Sequence, residues 1–149
     1  MSRLRRVLTL AVTLLLTWSA PSLGQDLVLV GNPDGGVVAL DRTQVINIYM
    51  GRFKKLPSGI TAFPLDLADS RAEFYQLLVG KSPAEINSYW ARLVFSGRGS
   101  PPRQVDSTEE LLAIIADTKG AIGYLPRSAV DGRVVVLSEI DALAIAEAC

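Results

Sequence analysis

The sequence predicts an α/β domain of three layers: one mostly parallel or mixed sheet with flanking helices. Helix starts marked by capping residues alternate with short apolar runs along the chain. Those runs, at residues 27–31, 60–65, 121–125 and 133–137, barely alternate in polarity, as strands covered on both faces do. Glycines follow the helical patterns where a C-terminal cap belongs.

Each element has its own local signal. Residues 27–31 (LVLVG) read as a buried strand, followed by the turn-forming Asn32-Pro33-Asp34-Gly35-Gly36. Asp41 with Gln44 three residues later is a capping box, and Gly51 ends that helix. A basic loop with Arg52, Lys54 and Lys55 leads to a second strand at 60–65. Ser70 with Glu73 predicts a second capping box, and Gly80 closes the helix. Ser82-Pro83-Ala84-Glu85 opens a third helix, along which Ile86, Tyr89, Trp90, Leu93 and Val94 recur at helical spacing, with core packing expected for at least one of Tyr89 and Trp90. Residues 96–106, with Gly97, Gly99, Pro101 and Pro102, read as an irregular loop. Ser107 with Glu110 caps a fourth helix, which Gly120 stops. Strands at 121–125 and 133–137 follow, and the tail from Ser138 reads as a short final helix.

The N-terminus predicts export. Arg3, Arg5 and Arg6 precede an uncharged apolar stretch at 7–18, and 19–24 turns small and polar. That is the three-part pattern of a signal peptide. The stretch falls short of the ~20 apolar residues that span a bilayer. Ser22 and Gly24 place the cut before Gln25, giving residues 1–24 as signal peptide and 25–149 as the working domain. Gln25 stands where a lipoprotein has cysteine, so the expected product is soluble, periplasmic or secreted, with no membrane span after cleavage. Cleavage removes three arginines and no acid, leaving 12 Lys and Arg against 15 Asp and Glu, a formal charge of −3. An acidic domain argues against nucleic acid as a partner.

Cys149 is the lone cysteine, so no internal disulfide forms; it is an incidental thiol or an intermolecular link. The chain has no histidine, which removes the commonest general base and metal ligand. No Ser/His/Asp set, metal-ligand cluster or phosphate-cradling P-loop is present, so neither an enzyme nor a cofactor is expected. Asp66 and Asp69 form a carboxylate pair of the kind common in caps and turns.

Three segments together carry a family resemblance: RTQVINIYMGRFKKLPSG, FPLDLADSRAEFYQLLVGKSPAEINSYWARLVFSGRG and TKGAIGYL. From about Leu27 to Leu125 the chain resembles the phosphate-binding periplasmic proteins of ABC transporters, and more closely their short, single-lobe relatives. The resemblance implies one lobe of a type II periplasmic binding protein, with the order of elements of the second lobe. It implies phosphate or a related oxyanion as ligand, and a transporter permease, a sensor or a second copy as partner. In the family, an arginine and a Gly-Ser-Gly-Thr turn at a helix start grip phosphate. Here that place reads Asp66-Leu67-Ala68-Asp69-Ser70-Arg71-Ala72-Glu73, where Ser70 alone matches.

In an α/β sheet, ligands sit beyond the carboxyl ends of strands, which points to Asn32, to residues 66–71 and to those after Tyr124. Asn32, Ser70 and Arg71 are the candidate ligand-binding residues; Asn32 also suits a turn. Arg98 and Arg103, in the Gly/Pro loop, are candidate partner or anion contacts. A helix start attracts anions, but Asp66, Asp69 and Glu73 bring three acids against Arg71. Unit charges ~4 Å apart repel by ~4 kcal/mol at an effective dielectric near 20. The expectation is weak or absent phosphate binding. Two functions remain: a solute-binding component for phosphate or another oxyanion, or an accessory or sensor module that kept the fold and lost the ligand.

Overall fold

The computed structural model describes residues 26–140; the expected signal peptide, its cleavage site and Cys149 lie outside them. The sheet has five strands: β1 (Leu27–Gly31), β2 (Phe63–Leu67), β3 (Arg103–Val105), β4 (Ala121–Pro126) and β5 (Val135–Ile140), in the order β3-β2-β4-β1-β5. The helices are α1 (Arg42–Tyr49), α2 (Arg71–Val79), α3 (Pro83–Phe95) and α4 (Thr108–Asp117). β2 is parallel to β3 and β4, whereas β1 is antiparallel to both β4 and β5. The sheet is therefore mixed: four strands run one way and β1 runs against them.

The helix ends follow local chemistry. The Asp41 carboxylate accepts from the Gln44 amide at 2.8 Å, and the Gln44 side chain accepts from the Asp41 amide at 2.9 Å. Ser82 and Glu85 make the same reciprocal pair at the start of α3. Ser107 caps α4 through the Glu110 amide, while the Glu110 carboxylate accepts from Asp106 N instead of from its cap. Gly51 ends α1 with φ +75, a region closed to most side chains; a Cβ there would stand 2.7 Å from the Trp90 ring.

Four local expectations are corrected. Ser70 makes no side-chain cap, because the 3-10 turn Ala68–Ser70 runs directly into α2 and holds Ser70 at ψ 0 instead of the extended angle of a cap. The second strand starts at Phe63, not Ile60: the Leu56 amide donates to Ile60 O and Lys55 bridges Thr61, which closes residues 56–60 into a turn. Residues 103–105, expected as loop, pair with Leu65, Asp66 and Leu67 as β3. Ser138 does not start a helix; Ser138, Glu139 and Ile140 pair with Leu29, Val28 and Leu27.

The core is continuous, and β1 is buried at every residue. One side of the sheet meets α1 and α2 through aromatic rings: Phe74 stacks on Tyr124 at 3.7 Å and packs edge-on to Tyr49 at 4.8 Å. On the other side α4 closes on Gly123, where a Cβ would collide with Leu111 and Ile115. Trp90 is buried, and its Nε1–H has no acceptor among the described residues, whereas Tyr89, half-buried, donates to Met50 O at 2.6 Å. No helix among the described residues is long and apolar enough to cross a membrane.

Candidate functional site

Strand direction sorts the candidate residues. β2, β3, β4 and β5 share a carboxyl edge, where Asp66 to Arg71, Asp106 and residues 126–129 gather. β1 runs the other way, so Asn32, just past its end, lies at the opposite edge. The fold thus keeps Ser70 and Arg71 together and separates Asn32 from them. The Asn32 side chain is also fully engaged. Its Oδ1 accepts from Asp34 N at 2.7 Å, and its Nδ2 donates to Ile115 O at 2.8 Å and Ala116 O at 3.0 Å. It closes the turn after β1 and donates to two carbonyls in the last turn of α4.

At the carboxyl edge the central group is Asp66, 3% exposed. Its Oδ1 accepts from the Tyr75 hydroxyl at 2.9 Å and the Tyr124 hydroxyl at 3.0 Å, and its Oδ2 accepts from Arg71 Nε at 3.3 Å. Burial raises the Asp66 carboxyl above its ordinary value, against the tyrosine hydrogen bonds and the Arg71 charge, which favour ionisation. Burial and the neighbouring carboxylate push both tyrosine hydroxyls well up, so they stay protonated and act as donors. These two partners escape a reading by sequence alone. The available signal is a lone acid in the apolar strand FPLDL, because a buried carboxylate requires donors.

Arg71 is bound on both sides. Its Nη2 donates to Asn87 Oδ1 at 2.9 Å, its Nε pairs with Asp66, and its guanidinium lies 5.5 Å from the Tyr75 ring centre. Ser70 is buried. Asp69 is exposed and Glu73 half-buried in the first turn of α2. The helix start that the fold offers to an anion is therefore faced by carboxylates, and its nearest cation is already paired. Beside it, Asp26, Pro126, Arg127 and Ser128 line a shallow cleft of about 470 Å³, where Arg127 is itself paired with Asp26 and Glu139.

Arg98 and Arg103 are exposed, and neither takes part in an ion pair among the described residues. They flank Gly99 and Pro102, which wall a second cavity with Phe53, Lys54 and Trp90. Among the described residues, no group of His, Cys, Asp and Glu side chains is arranged to hold a metal ion.

The architecture has known counterparts. An ABC-type phosphate transport receptor from Vibrio cholerae superposes with a TM-score of 0.60 at 18% identity, over 76% of this chain and 45% of that one. A Clostridium perfringens protein described as a phosphate ABC transporter substrate-binding protein, solved with bound phosphate, gives 0.59 at 17% identity, over 83% and 50%. PstS from Borrelia burgdorferi gives 0.51 at 13%, over 76% and 47%. No protein-family model and no curated sequence matches the chain. The fold is thus that of part of a transport solute-binding protein of the phosphate-binding kind. The chain spans half or less of each of them.

Proposed function

We propose that this chain is an exported recognition module with a phosphate-binding-protein fold that no longer grips a free oxyanion and works through surface contacts. Its working domain is residues 25–149, released to the periplasm or the medium by cleavage of residues 1–24. The carrying observation is the Arg71–Asp66 pair: the arginine nearest the anion-facing helix start is neutralised by a buried carboxylate and held by Asn87. Its role is recognition and not catalysis. The carboxyl edge, with Ser70 and Arg71, is the face offered to a protein partner such as a permease, a sensor or a second copy.

A second reading, direct phosphate recognition, draws on the bound phosphate of the Clostridium perfringens protein. Thermal shift separates the two. A ligand at 100 times its dissociation constant stabilises by ~2.7 kcal/mol, a clear rise in melting temperature for a small domain. The expected result is no rise with phosphate, sulfate, arsenate or phosphonates; a rise with any of them favours the second reading.

A further inference from the structure

Two acid-free stretches of chain meet at the amino-terminal edge of β2. Residues 42–65 and 86–105 together hold seven Arg and Lys and no Asp or Glu. The remaining described residues hold five Arg and Lys against 13 Asp and Glu. The fold converts this segregation along the chain into segregation in space. Lys54 lies over Gly99, its Nζ 3.2 Å from where a Cβ would stand, and both residues wall a cavity of about 260 Å³ with Phe53, Trp90 and Pro102. Arg52 and Lys55 flank one wall along the chain, and Arg98 and Arg103 flank the other. None of these five cations takes part in an ion pair among the described residues, nor do Arg42, Lys81, Arg92 and Lys119, whereas Arg71, Arg127 and Arg133 do.

The same edge carries exposed apolar side chains. Phe53 is 49% exposed, Val94 53% and Phe95 96%. Val94 and Phe95 end α3, four and five residues past Trp90. Large apolar groups left in water beside unpaired cations mark a surface that is covered in use.

We propose that this edge docks on a membrane bearing anionic phosphate headgroups. Lysine and arginine stems lie along apolar surface while their heads reach phosphates, and aromatic rings enter the boundary between headgroup and acyl chain. Stable attachment of a soluble domain takes two signals, a basic patch and an apolar insertion, and both are present here. A protein partner is the weaker fit: Phe95 projects from a helix end instead of lining a groove, and a bilayer accepts such a group without a complementary pocket. The acid-rich remainder of the described surface is repelled by the same bilayer, which orients the domain and leaves the Asp66 edge facing away. Nothing in this depends on whether that edge binds phosphate.

The test is co-sedimentation of the exported chain with vesicles of equal parts phosphatidylglycerol and phosphatidylcholine, against phosphatidylcholine alone. In the exported chain, residues 25–149, Trp90 is the sole tryptophan, and its emission reports the site. Binding is expected with the anionic vesicles only, weakened by salt and accompanied by a change in Trp90 emission. The Lys54→Glu/Arg98→Glu variant is expected to weaken it by about tenfold or more, given ~1 kcal/mol for each cation near the surface and repulsion from the new acids. Phe53→Ser/Phe95→Ser also weakens it, Lys81→Glu changes it little, and unchanged melting curves confirm folding. The proposal is overturned by absence of binding, by binding that both double variants retain, or by an equal effect of Lys81→Glu. It is overturned equally by pelleting without lipid, which means self-association, or by displacement with inorganic phosphate beyond that produced by chloride at the same ionic strength, which means a free-anion site.

Discussion

Arg71 Nε stands 3.3 Å from Asp66 Oδ2, and this pair turns the place where the fold offers a helix start to an anion into an internally satisfied polar cluster. Asp66 is the more buried partner and also holds Tyr75 and Tyr124. Removing it strands two buried hydroxyls. Asp66→Ala is expected to destabilise by about 2–4 kcal/mol, and Asp66→Asn by clearly less because its carbonyl still accepts from the tyrosines. Denaturant midpoints at constant m-value measure both.

If Asp66 is what keeps anions out, its neutralisation restores a trace of affinity. The Asp66→Asn/Asp69→Asn variant frees Arg71 and removes two acids from the edge. Phosphate is expected to raise the melting temperature of this variant and not that of the parent. Equal flat responses in both would mean that the site lacks more than charge.

The acids of this protein pull its pH dependence in opposite directions. Asp66 has its folded value raised, mainly by burial, from 3.8. Its contribution is therefore most favourable in acid and is lost as pH rises through the folded value. Glu109 and Asp131 have theirs lowered from 4.5 and 3.8, first by hydrogen bonds from Arg133. Their contribution is present above those ordinary values and is lost as pH falls through the folded ones. Stability of Asp66→Asn relative to the parent should rise with pH across the acid range, and that of Arg133→Gln should fall. Melting temperatures from pH 3 to 7 test both signs.

Asn32 is expected to matter for stability and for nothing that binds at the carboxyl edge. Asn32→Ala loses three hydrogen bonds and should destabilise by roughly 2 kcal/mol. Asn32→Asp keeps the acceptor for Asp34 N but sets a carboxylate against two carbonyls at the negative end of α4. It should be the worse of the two at neutral pH and recover partly in acid, as read by thermal unfolding.

Gly51 and Gly59 separate backbone strain from collision. Gly59, at φ +87, has open space where a Cβ would go, so Gly59→Ala carries strain alone, about 1 kcal/mol. Gly51, at φ +75, has the Trp90 ring 2.7 Å away. Gly51→Ala is expected to exceed Gly59→Ala by about 1–2 kcal/mol in the same denaturation assay and to shift Trp90 emission.

What could be read from the chain follows the range of the interactions involved. The caps at Asp41, Ser82 and Ser107, the glycine ends of α1 and α2, and the burial of β1 and β4 need only neighbours within a few residues or a run of apolar side chains. The sequence by itself therefore determined the α/β class, the order of helices and most of their limits. Ser70 shows where that range ends: its spacing to Glu73 is that of a capping box, but the 3-10 turn before it sets its backbone otherwise. Strand direction, the short β3 and the strand fate of Ser138 to Ile140 rest on partners far away along the chain. So does the site. Asp66 meets Tyr124, 58 residues on, and Asn32 leaves the candidate cluster because β1 runs against its neighbours. Pairing across a sheet depends on which segments collapse together and in which direction, and no local propensity encodes that; only the tertiary structure decided that the anion-facing edge is neutralised from within while two acid-free stretches of chain meet at the other edge.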